Sequence, residues 1–229
     1  MDTVQRHFCH LAKRSPYRYR EENDHKGGKM ENINLKLSNK FRSQWIKVKF
    51  YQEAVDFGDA KTVKGLRFCE ATKEAIHHPV LLDRSGINCP GARYAFGWGN
   101  KNMLMEHCEQ KGHITKEVLE SMLPSIPYFK EPFNYIGLNT KGEPDLVLSY
   151  ILPECAMDLI KLHHSHFGTN LDVSLCSMMP ICSGIAVRTY LEEKVAFSFA
   201  CEDSRQYGSI DRNRMAVGIP KKLFPVFAN

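Results

Sequence analysis

Cys89-Pro90-Gly91-Ala92-Arg93-Tyr94-Ala95-Phe96-Gly97 is the stretch around which the rest of the chain falls into order. Cys201-Glu202-Asp203-Ser204-Arg205-Gln206-Tyr207-Gly208 repeats its outline near the C-terminus. In both, a cysteine is followed four residues on by an arginine, then by an aromatic residue and a glycine. Each cysteine also has another upstream at nearly the same distance, Cys69 twenty residues before Cys89 and Cys182 nineteen before Cys201. Small residues follow the first cysteine of each pair, and a β-branched, apolar run leads into the second. Self-similarity of this kind predicts an internal duplication. Two related half-sites are expected, each a helix followed by a strand with a thiol at both ends.

Outward from these stretches, periodicity and punctuation predict the remaining elements. Glu31 to Trp45 carries apolar residues at loosely helical spacing, and Val48 to Phe50 reads as a short strand. A helix from Phe68 should stop before Pro79, because proline has no N–H to donate and restricts the residue before it. Val80-Leu81-Leu82 follows as a strand. Thr115 is a suitable N-cap for a helix through Met122. Phe133 to Leu138 and Asp145 to Ile151 read as strands, the second being the clearest in the chain. Pro153 suits the first turn of a helix, and Gly168 suits its end. A strand over 171–175, a helix from Cys182 to Leu191, and strands over Val195 to Ala200 and Met215 to Ile219 complete the pattern. Helices and strands interleave too irregularly for a doubly wound fold. The fold class is therefore α+β, with helices on a mixed sheet.

The chain has 229 residues, 43% of them hydrophobic and 25% charged, and a net charge of +5. That composition suits a soluble globular protein with a sizeable core. Residues 1–30 mix charged residues without period up to Gly27-Gly28 and predict a mobile extension, followed by a single α+β domain over 31–229. No apolar run approaches about 18 residues, so no membrane span is expected. The basic N-terminus lacks the apolar core of a signal peptide, and a cytoplasmic location is expected. The positive excess is scattered, which argues against nucleic acid as a partner.

Eight cysteines in such a chain point to metal ligands, reactive thiols or small packed residues rather than disulfides. The paired spacing singles out Cys69, Cys89, Cys182 and Cys201 as candidate metal ligands, since thiolates suit zinc, copper and iron–sulfur clusters. The proline of the Cys-Pro-Gly run would fix a ligand loop, and Gly91 would let the backbone approach the ligand. Against this, the chain contains no C-x-x-C pair, and four buried, packed cysteines are the alternative. Arg93 and Arg205 hold equivalent positions. They read either as donors toward an anion or thiolate cluster, or as arginines bonded to loop carbonyls. His163, His164 and His166 end the Pro153 helix, where they complement its dipole, although His163 and His166 share a face. Cys155 in that helix is either activated by the helix N-terminus or packed. No Walker motif, dinucleotide fingerprint or Ser/His/Asp order is present.

The run Lys64-Gly65-Leu66-Arg67-Phe68-Cys69-Glu70-Ala71, with Val80-Leu81-Leu82-Asp83 and Cys89-Pro90-Gly91-Ala92, resembles the family called domain of unknown function 169, found in archaea and anaerobic bacteria. The resemblance continues through Pro144-Asp145-Leu146-Val147, Pro153-Glu154, Cys182, Tyr190-Leu191, Cys201 and Met215-Ala216-Val217-Gly218-Ile219-Pro220. It covers the chain from about Trp45 onward. The resemblance implies a cysteine site, not a reaction. In one respect the chain departs from it: where family members often carry a second cysteine three residues after the one matching Cys201, this sequence has Ser204.

The expectation is therefore a cytoplasmic protein that holds an iron–sulfur cluster or zinc in a redox or sulfur-handling role, with a small molecule or redox partner and room for a homo-oligomer. The alternative is a binding module for a small anion or a protein partner, its cysteines structural.

Overall fold

The computed structural model describes residues 31–112 and 114–228. The extension expected over residues 1–30 lies outside them. Among the described residues no helix is long and apolar enough to cross a membrane.

The sheet is built from β1 (Trp45–Tyr51), β2 (Lys61–Thr62), β3 (Val80–Asp83), β4 (Tyr135–Leu138), β5 (Leu146–Ile151), β6 (Ala196–Ser198) and β7 (Met215–Pro220). Their order is β2-β3-β4-β1-β5-β7-β6. Only β2 and β3 run parallel; the other pairs are antiparallel, so the sheet is mixed and the fold is α+β. Six strands form two triplets, β3-β4-β1 and β6-β7-β5, laid back to back across the β1–β5 pair. The triplets match in strand order, but that alone does not show a duplication.

The sheet lies between two apolar layers. Side chains on successive strand residues point to opposite faces, and β5 buries both. Leu146 and Leu148 join one cluster; Val147 and Ile151 join the other. Each such Leu, Ile or Val contributes about 1.5–3 kcal/mol on burial. One layer holds α1 (Glu31–Phe41), α6 (Pro153–Phe167) and the short α9 (Phe224–Phe227), packed through Leu37, Phe41, Leu159 and Phe227. The other holds α2 (Phe68–Glu74), α3 (Pro90–Ala95), α4 (Lys101–Lys111), α5 (Lys116–Met122) and a buried π-helical turn, Cys182–Val187, that continues into α7 (Arg188–Glu192). After β6, α8 (Glu202–Tyr207) packs against α2.

Most local expectations hold. Thr115 accepts from the Val118 N–H to cap α5, and α6 starts at Pro153 and ends at Gly168 in the left-handed conformation. Other parts differ. Residues 171–175 form no strand, and Val173 and Leu175 are exposed, so they find no apolar face that would reward pairing. The Cys89 stretch is a helix start rather than a loop. Pro90 sits at N1, where its fixed φ and missing N–H suit a helix, and Cys89 is the extended N-cap. Lys101–Lys111 is helical, capped by Asn100 through the Met103 N–H, although its apolar residues give no clear periodic signal.

Candidate functional site

Four cysteines enter one region from four elements. Cys69 lies in the first turn of α2 and Cys89 caps α3. A parallel bridge between Leu66 and Ile87, with the Asn88 N–H donating to the Leu66 carbonyl at 3.1 Å, joins the segments leading into them. Cys182 opens the π-helical turn, a rare form of helix that is frequent at functional sites. Cys201 is the N-cap of α8; its sulfur accepts from the Ser204 N–H at 3.4 Å, and the Ser204 hydroxyl accepts from the Cys201 N–H at 2.8 Å. Ser204 therefore stands beside the Cys201 sulfur, with Oγ 3.2 Å from it.

The helices meet because Gly208 has no side chain. A Cβ there would lie 3.0 Å from the Cys69 carbonyl oxygen and 3.1 Å from the Cys69 Cβ, so only glycine lets α8 approach α2 this closely. Backbone strain also gathers here. Met179, three residues before Cys182, has φ 51° and Ala200, just before Cys201, has φ 62°, both in the left-handed region. Such conformations cost about 1–3 kcal/mol and persist where the surroundings fix them.

Cys69, Cys89, Cys182 and Cys201 line one cavity of about 240 Å³, together with Cys108 and His107 of α4. Its other walls are mainly apolar, among them Phe68, Leu104, Ile114 and Ile181. Cys69, Cys108 and Cys182 are buried, whereas Cys89 and Cys201 are half-buried. Burial pushes the Cys69 thiol up to about 12, and the nearby Cys89 and Cys201 sulfurs push in the same direction. Burial likewise raises Cys182 well above the ordinary thiol value, again reinforced by Cys89 and Cys201. Cys108 is raised by burial and by Cys89. Cys89 is thus the sulfur that the other three feel in common. Among the described residues no three His, Cys, Asp or Glu side chains are gathered tightly enough to hold a metal ion.

Arg67 and Lys111 bring cationic side chains to this cavity, and the sequence reading did not single out Arg67. The Arg67 guanidinium is the one held against a sulfur. Its Nη1 donates to Asp203 Oδ2 at 2.8 Å and lies 3.9 Å from Cys89 Sγ. Its guanidinium stacks 4.0 Å above the Tyr207 ring. Burial works against its charge, but Cys89 and Asp203 outweigh that and raise its pKa. Position alone was the signal, two residues before Cys69. Nothing in the sequence shows which way such an arginine points.

Arg93 and Arg205 do not line the cavity. Arg93 donates to the carbonyls of Arg84, Ile87 and Trp98 at 2.7, 3.2 and 3.0 Å. Arg205 donates to those of Asp211, Phe199 and Arg214 at 2.6, 2.5 and 3.2 Å. Each reaches the carbonyl two residues before its cysteine, so the pair brace the corners from which Cys89 and Cys201 project. Gly91 lines the cavity, but the space its missing Cβ leaves is taken by the Met179 side chain, 2.8 Å from that position at Cγ. His163 and His166 instead pack on Phe167 at the end of α6. Cys155 is buried on the opposite face of the sheet, its pKa raised by burial and then by Glu154 and Asp158, which makes it a packing residue.

The family model of domain of unknown function 169, described as Uncharacterised ArCR, matches residues 35–229. No curated protein and no solved structure matches the chain.

Proposed function

This chain belongs to the domain of unknown function 169 family, and on that premise we propose that it binds a thiophilic metal centre, an iron–sulfur cluster or another soft metal, in the cavity shared by Cys69, Cys89, Cys182 and Cys201. The observation that carries this reading is the meeting of four thiols, drawn from positions as far apart as Cys69 and Cys201, in one mainly apolar pocket. Thiol sulfur is a soft donor, and a pocket of several thiols with apolar walls suits metals that prefer sulfur to oxygen. When bound, such a centre supplies electron transfer or sulfur chemistry. The chain's own part is to hold Cys89 and Cys201 at half-buried positions, keep bulk water from Cys69 and Cys182, and place the Arg67 guanidinium against the sulfur charge.

The donor set fits a centre whose thiolates stand apart better than it fits a single four-coordinate ion, because no three of these side chains form a tight group. Structural zinc needs four ligands at about 2.0–2.3 Å. Anaerobic purification with iron, zinc, copper and sulfide analysis tests the reading. Metal or sulfide in fixed ratio to protein, lost in a Cys89→Ser/Cys201→Ser variant that still folds, is the expected result. A colourless, metal-free preparation that takes up no thiophilic metal and keeps its thiols titratable overturns it.

The alternative, a module that binds a small anion, now rests on Arg67, since Arg93 and Arg205 give three donor bonds each to loop carbonyls. Stabilisation by an anionic metabolite that survives Cys69→Ala/Cys201→Ala and disappears in Arg67→Ala distinguishes it.

A further inference from the structure

Two methionines, Met178 and Met179, line the cavity beside its thiols, and Met179 is the one seated against Gly91. Met179 is 9% exposed, and its side chain is folded over Gly91. From the point a Cβ on Gly91 would occupy, Met179 Sδ is 3.5 Å and Cys89 Sγ 3.9 Å away, so thioether and thiol flank the same spot. The Met179 carbonyl meanwhile accepts from the Cys182 S–H at 3.6 Å. Met179 thus stands between Cys89 and Cys182, on a left-handed backbone that its surroundings must hold in place.

Resting on the thiol-site reading above, we propose that Met179 contributes its thioether to the centre and, with Cys89 and Cys182, forms a low-coordinate site for a soft monovalent ion, copper(I). Thioether sulfur selects copper(I), whereas structural zinc sites draw on thiolate, imidazole and carboxylate, and iron–sulfur clusters chiefly on thiolate. A site of two thiols and one thioether draws on Met179 as its third donor. Charge agrees. Two thiolates on a monovalent ion leave one negative charge and four thiolates on a divalent ion leave two, beside an Arg67 guanidinium that is already paired with Asp203. An uncompensated charge is costly between walls such as Phe68, Leu104 and Ile181.

Methionine also fills gaps in cores, so the test must separate ligand from filler. The full-length protein, purified anaerobically with reduced thiols, is titrated with copper(I) against a chromophoric copper(I) chelator. In parallel it is reconstituted with ferrous iron and sulfide, and copper–sulfur coordination is read by X-ray absorption. Met179→Leu keeps the volume and apolarity and removes the sulfur. Gly91→Ala keeps the sulfur and forces it off its perch. Both are checked for fold by circular dichroism.

One tightly bound copper(I) is expected, with affinity falling about tenfold in Met179→Leu and about a hundredfold in Cys89→Ser. Should Gly91→Ala alone fold, a loss of about tenfold in that variant carries the same meaning. Tight copper(I) binding unchanged by both Met179→Leu and Gly91→Ala overturns the thioether ligand and leaves the thiol reading standing. An iron–sulfur chromophore without tight copper(I) binding overturns the choice of ion and again leaves the thiol reading. Uptake of no thiophilic metal overturns both.

Discussion

Arg67 and Asp203 meet at 2.8 Å, tying the start of α2 to the first turn of α8 across 136 residues of sequence. The pair sits at the cavity wall, with the Arg67 and Asp203 side chains 17% and 32% exposed, so water screens it only in part. Asp203 orients the guanidinium, and Tyr207 supplies a flat surface beneath it.

Arg67→Ala is expected to cost about 1–3 kcal/mol of stability, since it removes a charge-assisted hydrogen bond and a cation–π contact together. Arg67→Lys should recover less than half of that, because an ammonium keeps the charge but not the planar stacking. Denaturant midpoints for the two variants decide it. Equal stability of Arg67→Ala and the wild type counts against the pairing.

Alkaline pH should weaken the fold through the buried thiols. Below the ordinary thiol value of 9.0, folded and unfolded chains both keep the Cys69 proton, and its contribution is fully present. Between that value and about 12 the unfolded chain has lost the proton while the folded chain retains it, so stability falls as pH rises. Cys182 acts in the same direction. Urea midpoints of the metal-free protein at pH 8, 9.5 and 10.5 (roughly spanning the unfolded thiol pKa) should decline, with a shallower slope in Cys69→Ala.

Arg93→Ala and Arg205→Ala each strip the donors from three carbonyls, and a loss of about 2–4 kcal/mol apiece is expected. Metal uptake per folded molecule should fall little, because neither arginine lines the cavity. If uptake vanishes while the variant remains folded, the arginines act on the ligand after all.

Gly208→Ala would set a methyl group against the Ser204 and Cys69 carbonyl oxygens at 2.6 and 3.0 Å. Backbone cannot yield there, and about 1–3 kcal/mol of overpacking should appear together with reduced metal uptake as α8 moves off α2. Unchanged uptake and stability would mean that this close approach does not set the spacing of the thiols.

Ser204→Ala should cost about 1 kcal/mol through loss of the hydroxyl that accepts from the Cys201 N–H. Ser204→Cys places a further thiol beside Cys201 and is expected to raise thiophilic-metal affinity about tenfold. Competition titrations on both variants against the wild type measure it.

The parts legible in the sequence were those with local causes. A continuous apolar run announced β5, proline and glycine marked both ends of α6, and Thr115 marked the start of α5. The cysteine spacing singled out Cys69, Cys89, Cys182 and Cys201, and the fold brings all four to one cavity. What stayed hidden depended on distant partners. The arginines at matched positions drew notice, yet they brace carbonyls, while Arg67 acquires its role only through Asp203 and Tyr207, far along the chain. Cys108 and Met179 have no echo in the other half, and their place at the cavity is set by how α4 and the π-helical turn pack. The helix from Cys182 was legible, but not its widened first turn.

The wide separation of the contributing elements has a consequence during synthesis. Cys69 and Cys89 leave the ribosome early, but Cys201 and the strand after it follow more than a hundred residues later. At translation rates of about 5–20 residues per second, Cys69 and Cys89 stand uncovered for roughly ten seconds before Cys182 and Cys201 arrive. Oxidants or stray metals have that interval in which to reach the early pair before the cavity is complete.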